Sequence, residues 1–203
     1  MNTDLQQAVV FFGCLIVAVI LHEVAHGVVA SWFGDDTARR AGRLTLNPIP
    51  HIDPVGSIVM PALGALTGVP VLAWAKPVPV DPRRMKDPRR DMVVVGLAGP
   101  VTNFLLMAIA ALAARALFDP GSVPPTFGFS DLPLGVQIVF SFAVVNLFLG
   151  LFNLLPIPPL DGSHLVARVL PERWLPAWYR FQPYGFLVLF ILVFSTGFVS
   201  RVL

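Results

Sequence analysis

The chain has 203 residues, of which 56% are hydrophobic and 13% charged, whereas about 25% of residues are charged in typical soluble domains. Because the apolar residues form long runs, this composition excludes an ordinary soluble domain and predicts one integral membrane domain over residues 1–203. The net charge of +2 is small, and no aromatic residues interleave the basic clusters, so we expect no nucleic-acid partner.

The first predicted membrane helix covers residues 5–33 and contains His22, Glu23 and His26. The two imidazoles are four residues apart, so they lie on one face of a helix and can bind one zinc ion. The carboxylate beside the first imidazole can take a proton from the attacking water, as in metalloproteases with this spacing. Ionisable groups are unfavourable at membrane depth, so their position inside an apolar run indicates function.

Three further membrane helices are predicted over residues 92–118, 134–155 and 184–202. The third membrane helix stops at the proline-rich residues 156–159, because proline cannot continue a helix. A short helix near residues 162–170 is expected to follow. The predicted fold class is therefore an all-α polytopic membrane protein with about four transmembrane helices.

Residues 55–74 form an apolar segment that prolines and glycines interrupt, and basic residues flank it on both sides. These basic residues are Arg39, Arg40 and Arg43 before the segment and Lys76, Arg83, Arg84, Lys86, Arg89 and Arg90 after it. Since Lys and Arg accumulate on the cytoplasmic side, the segment is predicted to dip into the membrane and return. Such irregular backbone is tolerated where protein or water surrounds it. Residues 71–80, with Pro77 and Pro79, are predicted to supply short β-strand structure beside the active site.

A catalytic zinc needs a third protein ligand and one open position, and the candidates are Asp161, Glu172, His51 and His164. Asp161 is favoured because it follows the helix-breaking prolines on the same membrane side as His26, although it could instead cap the short helix. Glu172 lies in a polar turn and is disfavoured. His164, three residues past Asp161, either donates a hydrogen bond to a metal ligand or lies at a helix interface, and the second interpretation is favoured. His51 either orients a ligand or substrate, or shapes a proline-rich loop.

Three motifs carry a resemblance to a known family: HEVAH at residues 22–26, GPVTN at 99–103 and NLLPIPPLDG at 153–162. With them, the chain resembles the site-2 protease family of intramembrane zinc metalloproteases. Residues 47–56 and 74–80 are similar to a compact bacterial subgroup that carries neither a PDZ-like nor a nucleotide-sensing domain. The combination is specific because separated motifs occur in order on membrane segments.

The resemblance implies one zinc ion with the ligands His22, His26 and Asp161. It also implies that Glu23 is the general base, that Asn153 holds the substrate backbone or the oxyanion, and that Asn103 packs helices near the site.

The family's substrates are single-span membrane proteins, so the resemblance implies a transmembrane protein substrate within a lipid bilayer. The resemblance to a bacterial subgroup implies the bacterial inner membrane, and the distribution of basic residues predicts an active site toward the cytoplasm. Two alternatives stay open on the residues alone. A membrane metalloprotease of another class would use a glutamate as third ligand, and a non-proteolytic metal-binding or transport protein would not need Glu23.

Overall fold

The computed structural model describes residues 3–67, 74–118 and 128–195, and this part of the chain is helical without an assigned β-strand. Its helices are α1 (Thr3–Trp32), α2 (Thr37–Arg40), α3 (Met60–Thr67), α4 (Pro88–Leu117), α5 (Leu134–Asn153), α6 (Ser163–Val169) and α7 (Leu175–Ser195).

Three of these helices, α1, α4 and α5, are long and apolar enough to cross a membrane, within the residues that were described. They confirm the first three predicted spans to within a few residues. The largest difference is at the start of α4, where the Asp87 side chain accepts a hydrogen bond from the Arg90 N–H and proline occupies the first turn. A carboxylate cap followed by proline is a strong helix start, so this helix begins before its apolar run.

Helices α1, α4 and α5 pack against one another, and the most extensive contact is between α4 and α5. Cys14 and Ala18 of α1 form a buried cluster with Val145 of α5. Further along α1, Ala30 packs with Met85 and with Val95 of α4. Small residues on α1 let the neighbouring backbones approach closely, which is how helices associate where lipid replaces water.

The fourth predicted span, residues 184–202, differs from the structure at its start. Helix α7 already begins at Leu175 and includes Pro183, while residues 196–202 lie outside the described part. Pro176 explains the early start, because proline is favoured in the first turn of a helix. Four membrane spans therefore stay a prediction, and three are assigned among the described residues.

The predicted dip begins with a π-helical turn over Pro54–Val59, which leads into α3. Residues 68–73 are not described, but the chain returns beside its entry point. The Trp74 N–H donates to the Gly56 carbonyl at 3.3 Å, and the Ser57 hydroxyl donates to the Trp74 carbonyl at 2.9 Å. A Cβ atom on Gly56 would collide with the Trp74 ring, so glycine permits this contact.

The predicted strand at residues 71–80 is not confirmed. Residues 71–73 are outside the description, and residues 74–80 are not assigned to a strand. Pro77 and Pro79 explain this, because neither can donate to a β-ladder. The segment instead makes isolated contacts, such as the Lys76 N–H to the His51 carbonyl at 2.9 Å. We refer to residues 74–81 as the extended strip.

Candidate metal centre

Side chains from two distant parts of the chain, two from α1 and one from the loop after α5, converge where these elements meet. The Nε2 atoms of His22 and His26 are 3.1 Å apart. Asp161 Oδ2 lies 3.1 Å from the first and 3.4 Å from the second. Both imidazoles are buried, and the three residues form a group able to hold a metal ion.

Asp161 reaches the two histidines because the chain folds back sharply after α5. The Gly162 N–H donates to the Asn153 carbonyl at 2.7 Å. A Cβ atom on Gly162 would lie 2.5 Å from the Leu154 carbonyl carbon, so this turn requires glycine. The N-cap of α6 is Gly162, without a capping side chain, so Asp161 does not have the alternative capping role that its position suggested.

Helix α4 lies against the two imidazoles at Gly99. A Cβ atom there would lie 2.5 Å from His26 Nε2 and 2.6 Å from His22 Nε2. Real carbon atoms do not approach nitrogen so closely without displacement, so glycine is required for α4 to lie against the imidazoles. Gly99 begins the motif at residues 99–103, and this contact gives that motif a physical reason.

Hydrogen bonds at the far side of each ring determine which nitrogen carries the proton. His22 Nδ1 lies 2.5 Å from Asn103 Oδ1, and His26 Nδ1 lies 2.7 Å from the Val95 carbonyl. Both partners are oxygen acceptors, so each Nδ1 must donate. Each Nε2 is therefore unprotonated, and its lone pair is free to bind a cation where the two rings and Asp161 meet.

A cation is the group that this arrangement fits. Three lone pairs facing one another would repel, and Asp161 Oδ2 is buried without a hydrogen-bond partner. A tetrahedral zinc with ligands at about 2.0–2.1 Å separates its ligand atoms by roughly 3.3 Å. The observed separations of 3.1, 3.1 and 3.4 Å agree with that value. Two imidazoles and one carboxylate are also the donor set of a catalytic zinc site.

The local electrostatics suit a metal ligand at Asp161. Burial raises the pKa of its carboxyl, whereas protons on the facing His22 and His26 lower it to about 2 when no cation is bound. A bound cation takes the place of those protons and favours the ionised carboxylate in the same way. The group is therefore ionised at neutral pH, as a ligand must be. Burial lowers the pKa of His164, so its ring is neutral at pH 7.

Glu23 lies on α1 between the two imidazoles in sequence, and it faces the extended strip. Its Oε2 accepts a hydrogen bond from the Val78 N–H at 2.6 Å. Val78 is buried, and its side chain packs against the position where a Cβ atom on Gly27 would sit. The contact holds the strip against the helix that carries the cluster.

The three other predicted site residues differ in their hydrogen-bond partners. Asn103 contacts His22 directly, which is a closer connection than helix packing alone. Asn153 donates from Nδ2 to the Leu149 carbonyl at 3.0 Å within its own helix. His51 is buried, and its Nε2 lies 3.0 Å from the Thr45 carbonyl in the same loop.

The two remaining candidates for third ligand lie outside the cluster. His164 packs against Gly96 of α4, in agreement with its interpretation as an interface residue. The Glu172 side chain is 89% exposed and lies 3.9 Å from Arg89, away from the histidines.

Sequence reasoning missed Asn146 on α5. Its side chain is fully buried and accepts a hydrogen bond from Asn103 Nδ2 at 2.8 Å. A signal for it existed, because an amide within an apolar membrane helix requires a partner.

The chain is similar in sequence to proteins that are named as zinc metalloproteases. The model of the family described as "Peptidase family M50" matches residues 133–195. YwhC of Bacillus subtilis, named as a zinc metalloprotease, is 41% identical over 190 residues, which cover 93% of this chain and 81% of YwhC. Rip2 of Mycobacterium tuberculosis, also named as a zinc metalloprotease, is 35% identical over 180 residues, covering 87% of this chain and 64% of Rip2.

A more distant relative, the zinc metalloprotease MJ0392 of Methanocaldococcus jannaschii, is 25% identical over 175 residues, covering 86% of this chain and 38% of MJ0392. No solved structure matches the chain significantly. The similarity to YwhC extends over most of both proteins, and the converging imidazoles and carboxylate provide what a zinc enzyme needs. The chain therefore belongs to peptidase family M50, the site-2 protease family of membrane zinc metalloproteases.

Proposed function

We propose that this zinc metalloprotease cleaves single-span membrane proteins within or near the bilayer. The observation that carries the proposal is the cluster of His22, His26 and Asp161, whose atoms converge at an apolar membrane helix. A hydrolytic site at membrane depth is expected only where the substrate also lies in the membrane.

Each site residue receives a role in this proposal. His22, His26 and Asp161 hold one zinc ion and leave one coordination position open. Glu23 is the general base, because its carboxylate directly follows a ligand on α1 and remains outside the ligand cluster. When bound, zinc supplies Lewis acidity that makes water nucleophilic near neutral pH and polarises a carbonyl group.

Side chains of this protein then transfer the proton. Glu23 takes it from the attacking water and passes it to the amine that leaves when the peptide bond breaks. The Val78 N–H holds Glu23 Oε2 in place at 2.6 Å, which leaves the second carboxylate oxygen to accept the proton. Gly99 and the buried wall of α4 confine the reacting groups to one side of the cluster.

The extended strip is proposed as the surface that holds the substrate. A helix hides its carbonyls in internal hydrogen bonds, so a membrane span must unwind before hydrolysis. Residues 74–81 lie outside the helices, and we propose that their backbone pairs with an unwound substrate segment by strand addition. His51 supports this strip through its carbonyl, which accepts from the Lys76 N–H. Asn153 is proposed to bind the substrate backbone or the oxyanion.

The proposed setting is the bacterial inner membrane, with four membrane spans and the active site toward the cytoplasm. The basic residues on both sides of residues 55–74 support this orientation. The contact between Gly56 and Trp74 supports a segment that enters the membrane and returns on the same side.

The test is a cleavage assay in detergent micelles with a tagged single-span membrane protein as substrate. We compare wild type with Glu23→Gln and measure bound metal in both. Loss of cleavage with retained zinc is expected. Equal cleavage by both proteins would contradict the role of Glu23, and a substrate cut only in its soluble part would contradict proteolysis in the membrane.

A further inference from the structure

Two buried amides connect a metal ligand to the backbone of α5. Asn146 Nδ2 donates to the Phe142 carbonyl at 2.8 Å. Asn103 Nδ2 donates to Asn146 Oδ1 at 2.8 Å, and His22 Nδ1 donates to Asn103 Oδ1 at 2.5 Å. Both asparagine side chains have 0% exposure, so water does not compete for these bonds. We call this chain of hydrogen bonds the amide relay.

The direction of the amide relay is fixed at its backbone end. The Phe142 carbonyl can only accept, so the NH₂ group of Asn146 must face it. The Asn146 oxygen then faces Asn103, which must present its own NH₂ group in return. Asn103 is left with its oxygen toward His22, and that oxygen requires a proton on Nδ1. Each step leaves one orientation for the next.

We infer that Asn146 is a positioning residue that selects the tautomer of His22 through Asn103. With the proton held at Nδ1, Nε2 keeps its lone pair directed at Asp161 and at the metal. Without Asn146, the Asn103 amide can rotate and donate to Nδ1, which moves the proton to Nε2 and blocks the ligand atom. Groups that orient metal ligands in this way typically change metal affinity 10–100-fold.

A purely structural role for Asn146 makes a different prediction, and α5 contains a matched control. Gln137 is a second buried amide on that helix, with 2% exposure, and it donates to the carbonyls of Ser130 and Leu132. Removing either amide leaves buried polar groups unpaired and lowers stability by a similar mechanism. Removing Asn146 alone should alter metal binding.

The first experiment measures zinc affinity of the purified full chain by competition with a chelator. Asn146→Leu is expected to weaken zinc binding by about 10–100-fold, and Gln137→Leu to leave it unchanged. If Asn146→Leu does not fold, Asn146→Ala replaces it, because it lacks the same donor and acceptor. An affinity within twofold of wild type, or an equal loss in Gln137→Leu, would overturn the inference.

The second experiment tests the direction of the hydrogen bonds in the amide relay. A carboxylate at position 103 would accept from His22 Nδ1 through either oxygen, so it needs no partner to orient it. Asn103→Asp should therefore restore zinc affinity when it is combined with Asn146→Leu, because no Asn146 oxygen then faces the carboxylate. If the two substitutions instead lowered zinc affinity independently and additively, the inference would be overturned. Nitrogen NMR of the histidine-labelled apoprotein reads the His22 tautomer directly and should change in Asn146→Leu.

This inference rests on the proposed role of His22 as a zinc ligand, so His22→Ala accompanies the series. If His22→Ala retains full zinc affinity, the proposed metal site is wrong. If His22→Ala loses zinc while Asn146→Leu keeps it, the site stands and the amide relay alone is refuted.

Discussion

The Val78 N–H donates to Glu23 Oε2 at 2.6 Å, and this bond joins the proposed general base to the extended strip. The orientation of the carboxylate and the position of the strip therefore depend on each other. A backbone donor is well suited to this task, because no side-chain substitution other than proline removes it. The same bond places the proposed substrate surface next to the residue that transfers protons.

Glu23→Gln separates chemistry from metal binding. Glutamine keeps an oxygen that accepts from the Val78 N–H, so the local structure should persist, but it cannot accept a proton at neutral pH. We expect cleavage to fall by at least about a hundredfold while zinc content stays at one ion per chain. Cleavage assays and metal analysis on the same sample check this, and a variant that lost zinc would show that Glu23 is structural.

Gly99→Ala should destroy the metal centre by crowding. Its Cβ atom would lie 2.5 Å from His26 Nε2 and 2.6 Å from His22 Nε2, so α4 or the imidazoles must move. We expect loss of bound zinc and of cleavage. Gly13→Ala is the matched control, because no atom lies within 4 Å of its Cβ position on α1. That change should leave zinc intact and raise helix stability by up to about 1 kcal/mol.

Asp161→Ala tests the third ligand against the alternative that a glutamate supplies it. Zinc affinity should fall by more than the 10–100-fold that loss of a ligand-orienting group produces. Glu172→Ala removes an exposed carboxylate near Arg89 and should change neither zinc affinity nor cleavage. Competition with a chelator gives both affinities. Full zinc retention in the Asp161 variant would point to a different metalloprotease class.

Asp35→Asn should weaken the anchoring of the extended strip. Asp35 is fully buried at the end of α1, and its Oδ2 accepts from the Asp81 N–H at 2.7 Å. Its Oδ1 accepts from the Thr37 N–H and hydroxyl, so asparagine must leave at least one donor unpaired. The variant should lose about 1–3 kcal/mol of stability and show slower cleavage with zinc retained.

The neighbouring Asp36→Asn is the control for that experiment. The Asp36 carboxylate is 39% exposed and pairs with Arg40 and Arg84 at the surface. Such pairs contribute little to stability. Thermal unfolding and cleavage should therefore resemble wild type, and equal defects in both variants would show that the region lacks the specific anchor.

The sequence predicts the part of the site that is local in the chain. The spacing of His22 and His26 fixes their common face on α1, and the proline-rich break after α5 identifies Asp161. The amide relay could not be predicted in this way. Helix α5 is apolar on all sides, so its pattern does not indicate which face carries Asn146 toward α4. That contact depends on the rotation of packed helices, which requires the structure.

The early start of α7 and the unpaired strip have similar explanations. Hydropathy marks where an apolar run begins, whereas Pro176 determines where the helix begins. The composition of residues 71–80 indicates extended backbone, but pairing also needs donors that Pro77 and Pro79 lack. In both places the local backbone chemistry overrides the averaged property of the segment.

The meeting of Asp161 with the first helix also has a mechanical consequence. An ion bound by both the histidines of α1 and Asp161 would connect the beginning of the chain to its second half, as a covalent cross-link does. Since a bound ion favours the folded form over looser ones, stripping it should expose the loop after α5 to added proteases. In the proposed site, the zinc ion would therefore also hold the two halves of the bundle together.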